Sequence, residues 1–160
     1  MRILVMALAT GLFLSACSKD NSCKSVPPSE EKAELQSFNA ANNINATEYY
    51  NGMFYQILDP GANIKPTRAS TVYVKYTGTR LDGTVFDSQT NPGATGFSLS
   101  SLIEGWKAGI PMIGKGGRIL LTLPSSLSYG CVGSRNLKDS TKSIEPNTPL
   151  FFDIELVDFH

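Results

Sequence analysis

Residues 71–80, TVYVKYTGTR, alternate with a period of two. Val72, Val74 and Tyr76 project to one side, and Tyr73, Lys75 and Thr77 to the other. Successive side chains of a strand point to opposite faces, so this run reads as a long, half-buried β-strand. A strand with one apolar face needs sheet partners beside it and a cover over that face. The rest of the chain offers both. GMFYQIL (52–58) is rich in aromatic and β-branched residues and ends in the turn signal DPG (59–61). LDG (81–83) reads as a hairpin turn leading into TVFD (84–87), and SQTNPGATG (88–96) reads as a loop. RILLTLP (118–124) sets Ile119, Leu121 and Leu123 on one face. PLFFDIELVDF (149–159) turns Leu150, Phe152, Ile154 and Leu156 inward, with Asp153 and Glu155 outward. One compact helical stretch interrupts the strands. In SLIEGWKAGI (101–110), Ile103, Trp106 and Ile110 share a face. These elements predict an α+β domain: a largely antiparallel sheet with one short helix against it.

The N-terminus predicts the compartment. Met1-Arg2 is followed by the apolar run ILVMALATGLFL (3–14) and then SAC. That order is the pattern of a secretory signal peptide. The run falls short of the roughly 20 residues of a membrane span. LSAC (14–17) resembles a bacterial lipobox, which implies cleavage before Cys17 and lipid on its sulfur, with residues 1–16 as the signal peptide. The plainer alternative is an ordinary signal peptide with Cys17 near the cut. Several acyl chains on one cysteine anchor a protein firmly, each buried CH₂ contributing about 0.8 kcal/mol. The expected location is a bacterial membrane, with the domain facing the periplasm or the exterior. Two further cysteines remain, Cys23 and Cys131. In an exported chain they form either one disulfide or two free thiols.

Residues 17–48 read as a tether with a short helix, and 49–160 as the folded domain. SKDNSCKSVPP (18–28) is polar with paired prolines. SEEKAELQSFNAANN (29–43) fits a helix capped by Ser29, with Glu30 and Glu31 in its first turn. Leu35 and Phe38 form a thin apolar stripe, which predicts a helix resting on the domain or fraying from it.

Composition excludes several chemistries. Lys plus Arg and Asp plus Glu each number 14, and removing residues 1–16 takes away only Arg2. No basic field exists for a nucleic acid. The single histidine is His160, so a Ser–His or Cys–His pair inside a pocket is not expected. One His and two spare Cys with no CxxC make a poor zinc site, and no metal or cofactor is expected. GIPMIGKGG (109–117) holds most of a phosphate-binding P-loop. However, a helix precedes it, a strand follows it, and Gly116 stands where a Mg²⁺-holding hydroxyl belongs. Gly114, Gly116 and Gly117 are better read as a tight reversal from helix to strand. LFFD (150–153) mimics a metal-holding strand, but its period of two puts Asp153 on the solvated side. What the chain does offer is rings near element ends: Tyr76, Phe86, Trp106, Tyr129 and Phe152, with Asp87 beside Phe86. Together they suggest an aromatic-lined pocket.

Four segments, VKYTGTRLDGTVFDS, LIEGW, LPSSLSYG and EPNTPLFFDIELVDF, resemble the FKBP-type peptidyl-prolyl cis-trans isomerases, in the family's order and at compatible spacing. The likeness runs from about Gly52 to Phe159. It implies a bent antiparallel sheet of about five strands, half-wrapped around one short helix, with the pocket between them. It implies that proline-containing polypeptides are the substrates and that macrolide inhibitors are possible ligands. On that pattern Trp106 is similar to the pocket floor, and Tyr76, Phe86 and Phe152 to its walls. Leu102 and Ile103 match its rim, and the Ile103 N–H matches the donor to a substrate carbonyl. Tyr129 matches the tyrosine whose hydroxyl faces the substrate, and Asp87 the pocket carboxylate. Ile144 resembles the apolar flap residue over the pocket.

The sequence also departs from the family pattern. Phe97 falls on a structural aromatic, while Thr95 falls where many members carry a second pocket aromatic. The loop 88–96 lacks the arginine some members place near the aspartate, and the long segment between Tyr129 and Phe152 resembles an extended flap carrying Cys131. The expected function is X–Pro isomerisation in exported proteins. The alternatives are a non-catalytic peptide-binding or chaperone module on the same fold and, distantly, an NTPase.

Overall fold

The computed structural model describes residues 23–92, 95–136 and 139–160. Cys17 and the signal-like segment lie outside the described residues. Helix α1 (Pro28–Ala41) is followed by strands β1 (Thr47–Glu48), β2 (Phe54–Asp59), β3 (Thr71–Arg80), β4 (Val85–Gln89) and β5 (Phe97–Ser98). Helix α2 (Glu104–Gly109), β6 (Arg118–Leu123) and β7 (Leu150–Phe159) complete the chain. The strands form one seven-stranded antiparallel sheet in the order β1-β2-β6-β7-β3-β4, with β5 on the free end of β3. About five strands are legible in the sequence. The two additional ones, β1 and β5, have two residues each, too few for a period to show.

Alternation places the core. The three inward residues of β6 and Leu150, Ile154 and Leu156 of β7 are fully buried, as are Val72 and Val74 of β3. Trp106 and Ile110 cover them from the helix side. The opposite face carries charges. Asp153 is turned away from the core, and Arg118 grips it in two parallel bonds of 2.8 and 2.6 Å. Lys75 pairs with Glu155 beside it.

The glycine-rich stretch after α2 is a reversal. Its N–H groups are taken up within the protein: Gly114 donates to Pro60, Gly116 to Leu156 and Gly117 to Gly114. Lys115 pairs with Asp158. Gly116 has a φ of +81°, which favours glycine. The N–H groups and the lysine that a P-loop aims at phosphate are thus committed elsewhere.

Helix α1 rests on the domain. Leu35 is fully buried, and the Phe38 ring lies 5.2 Å from that of Phe151. Its expected cap is corrected: Pro27, not Ser29, stands at the N-cap, without a side-chain cap bond. Pro28 takes the first helical position, where a missing N–H costs nothing. The helix ends in a run of asparagines, with Asn43 in the left-handed region at φ 54°.

Candidate active site

The inward faces of β3, β4 and β7, together with α2, enclose a cavity of about 190 Å³. Trp106 projects from α2 toward the sheet and is 5% exposed. Its ring meets Tyr76 edge-on at 5.0 Å and Phe152 at 5.4 Å. Phe86 stands at 90° to Phe152, 5.7 Å away. These perpendicular contacts hold the rings without filling the space between them. Leu102, Ile103, Phe97 and Tyr129 close the remaining sides, and Asp87 is the one carboxylate on the lining.

Strand β3 supplies Tyr76, and its antiparallel partner β4 supplies Phe86 and Asp87. The Tyr76 hydroxyl donates to Asp87 Oδ2 at 2.6 Å, and the Ser88 N–H donates to Asp87 Oδ1 at 2.9 Å. Both carboxylate oxygens are therefore occupied. This suits a brace and a source of field rather than a proton acceptor. Burial, the bond to Asp87 and its charge, in that order, push the Tyr76 phenol far above the usual tyrosine value. Burial and then the Asp87 charge raise the Tyr129 phenol as well. Both phenols are neutral hydroxyls at physiological pH.

Ile103 is the N-cap of α2, and its carbonyl accepts the N–H groups of Trp106 and Lys107. Its own N–H stands outside the helical ladder. The Trp106 indole N–H is buried and has no acceptor among the described residues. Tyr129 is 37% exposed and lines the cavity.

Eight of the nine expected pocket residues line this one cavity: Tyr76, Phe86, Asp87, Leu102, Ile103, Trp106, Tyr129 and Phe152. Ile144 does not. It bridges to Ser134 across the flap, is 4% exposed and packs into the core cluster. The long flap folds back on itself and carries Ile144 inward, and Arg80 pins the flap through the carbonyls of Thr141 and Ser143. Phe97 packs against the core, as a structural aromatic should, and has a second role. It lines the cavity, while Thr95 is exposed. Strand β5 pairs Phe97 with Val72 and thereby turns its ring toward Trp106's side of the sheet. A two-residue strand gives no periodicity from which to read this. The sulfurs of Cys23 and Cys131 are bonded, with Cα atoms 5.5 Å apart.

A seven-stranded antiparallel sheet packed against a short helix, with a hollow between them walled by rings among the described residues, defines a pocket for a compact apolar group. Residues 62–157 match the family model of the FKBP-type peptidyl-prolyl cis-trans isomerases. The chain belongs to this family, an isomerase family by name. It is 40% identical over 108 residues to the FKBP-type peptidyl-prolyl cis-trans isomerase FkpA of Escherichia coli K12, covering 67% of this chain and 37% of that protein. It is 35% identical over 133 residues to the outer membrane protein MIP of Legionella longbeachae, covering 80% of this chain and 54% of that protein. The matched part thus spans little more than a third to about half of these relatives. Among solved structures, FkpA from Escherichia coli superposes with a TM-score of 0.68 at 32% identity, covering 82% of this chain and 60% of that one. The peptidyl-prolyl cis-trans isomerase of Pseudomonas syringae pv. tomato gives 0.65 at 31%, covering 85% and 98%.

Proposed function

We propose that this chain is a peptidyl-prolyl cis-trans isomerase acting on exported proteins, and that the ring-walled cavity is where the X–Pro bond turns. The observation that carries the reading is the convergence of six rings on one small hollow, with Asp87 held by Tyr76 at its edge. At about 190 Å³ the hollow is smaller than typical drug-sized sites of roughly 300–1,000 Å³, so it suits a single prolyl ring.

The chemistry follows from the amide. Resonance gives the C–N bond partial double-bond character and a rotation barrier of about 18–20 kcal/mol. The resonance form is charge-separated, and an apolar cavity solvates it worse than water does. The twisted transition state has lost that resonance and much of its dipole. The cavity therefore favours the transition state over the planar ground state, which is the condition for catalysis. Tyr129 and the Ile103 N–H orient the substrate carbonyls. Asp87 fixes Tyr76. No covalent step is required. The same rings would receive macrolide inhibitors of the family.

The location belongs to the same reading. A lipid on Cys17 would tether the domain to a bacterial envelope membrane, facing the periplasm or the exterior. A Cys23–Cys131 bond suits an oxidising compartment. The name of one relative, outer membrane protein, points the same way.

The test is cis-trans exchange of a short X–Pro peptide, followed by NMR with and without the purified protein. Uncatalysed exchange takes about 10–100 s, so acceleration is easily seen. Trp106→Ala should reduce the rate more than about tenfold, and Asp87→Ala by a smaller factor, since truncating a packed wall disturbs positioning. Exchange no faster than in buffer, with peptide still bound, would instead establish a non-catalytic binding module.

A further inference from the structure

The match to the family model begins at residue 62, but the loop carrying Tyr129 is fastened from a helix that lies well before it. Glu31, in the first turns of α1, is 6% exposed. Both of its carboxylate oxygens bond to one residue. Oε2 accepts the Ser125 N–H at 2.8 Å, and Oε1 accepts the Ser125 hydroxyl at 2.6 Å. Ser125 is 1% exposed and opens the tight turn Ser125–Leu127. Its carbonyl then accepts two more N–H groups, those of Ser128 at 3.0 Å and Gly130 at 2.8 Å. These are the two neighbours of Tyr129. Helix α1 thus holds one side of Ser125, and the other side of Ser125 holds both flanks of the pocket tyrosine.

A carboxylate is a poor choice for merely docking a helix. Removing it from water is costly, and well-packed apolar residues dock as well or better. Leu35, one turn further on and fully buried, already does so. What a buried carboxylate adds is a pair of short, directional, charge-assisted bonds. Such bonds fix the position of a loop.

We propose that Glu31 is a positioning residue of the isomerase site, which sets the place of the Tyr129 hydroxyl through Ser125. The proposal rests on the reading above, in which Tyr129 orients the substrate. Glu31 acts from outside the matched domain, so α1 belongs functionally to the site.

Three variants of the full chain test it. Glu31→Ala deletes both bonds. Glu31→Gln keeps an acceptor for the Ser125 N–H and offers a donor to its hydroxyl. Asn39→Ala removes a bond of the same helix, the one accepted from Thr122 Oγ1 at 2.6 Å, which holds β6 rather than the loop. Two readouts are taken: kcat and KM for an X–Pro peptide, and the Tyr129 titration by NMR of tyrosine labelled at Cζ, without substrate. Glu31→Ala should lower kcat about tenfold with KM changed less, the signature of a misplaced orienting group. Its Tyr129 titration should fall toward the ordinary tyrosine value of about 10 as the loop opens to water. Glu31→Gln should restore both, and Asn39→Ala should leave both unchanged while lowering the unfolding midpoint. An unmoved Tyr129 titration in folded Glu31→Ala overturns the proposal. Should that variant fail to fold, Ser125→Ala, which keeps the backbone bond, must shift the titration in the same direction by less, or the proposal falls. An inactive wild type would refute the isomerase reading alone, because the titration does not depend on turnover.

Discussion

Tyr76 is where the strand, the pocket and the electrostatics meet. Its backbone pairs with Gln89 of β4 and Ile154 of β7, its ring packs on Trp106, and its hydroxyl is committed to Asp87. The folded state raises its phenol above the unfolded value, through burial first and Asp87 second. The folded protein therefore holds that proton more tightly than the unfolded chain. The stability this provides is complete below about pH 10, the ordinary tyrosine value, and is lost as pH rises through the folded value. Urea midpoints taken at rising alkaline pH should fall in the wild type and fall less steeply in Tyr76→Phe. Equal slopes would show that the hydroxyl is not linked to folding.

At the scale of elements, one attachment was not legible and a second was legible only through its two cysteines. Helix α2 lies close on β6 because Gly105 and Gly109, four residues apart, face it. A Cβ at these positions would stand 2.3 Å from Leu123 Cδ1 and 2.6 Å from Leu121 Cδ1. This close approach seats Trp106 at the floor. The other attachment is the segment before α1. The sequence presents it as a polar spacer, yet from Cys23 on it is stitched to the flap. Val26 N–H donates to Asn147 Oδ1 at 3.4 Å, Asn147 Nδ2 donates to the Lys24 carbonyl at 3.1 Å, and Cys23 is bonded to Cys131. That bond spans 108 residues, and closing so long a loop restricts the unfolded chain. Cys131→Ser, or treatment with a dithiol, should lower unfolding free energy by about 2–4 kcal/mol in urea titrations. An unchanged midpoint would mean that the two thiols do not pair in solution.

At the scale of the whole molecule, the cavity opens on the side of the sheet away from the paired charges of Arg118, Asp153, Lys75 and Glu155. Among the described residues, no helix is long and apolar enough to cross a membrane. Membrane attachment is proposed through a lipid on Cys17, which lies outside the described residues. Cys17→Ala should move the protein from the membrane fraction to the soluble fraction on cell fractionation, and a protein that stays with the membrane would refute lipid anchoring. The long strands were readable because seven- to eleven-residue runs show a period of two, and β3, β6 and β7 bury the residues that period selects, with Tyr76 at the cavity only half-buried. That Phe97 also reaches the cavity was not legible because β5 is too short to show a period, and the place of Ile144 was not because the flap's return path depends on a bridge to Ser134.

The sequence by itself determined the alternating strands, the single short helix between them, and the stock of rings from which a pocket is made. These are local properties, written in the spacing of neighbouring side chains. That five of these rings share one hollow was already expected from the sequence; tertiary structure alone decided that Phe97 joins them while Ile144 packs into the core, and that Glu31 reaches Ser125 across 94 residues. Such contacts are settled by how the whole sheet packs on its helices, which no local spacing encodes.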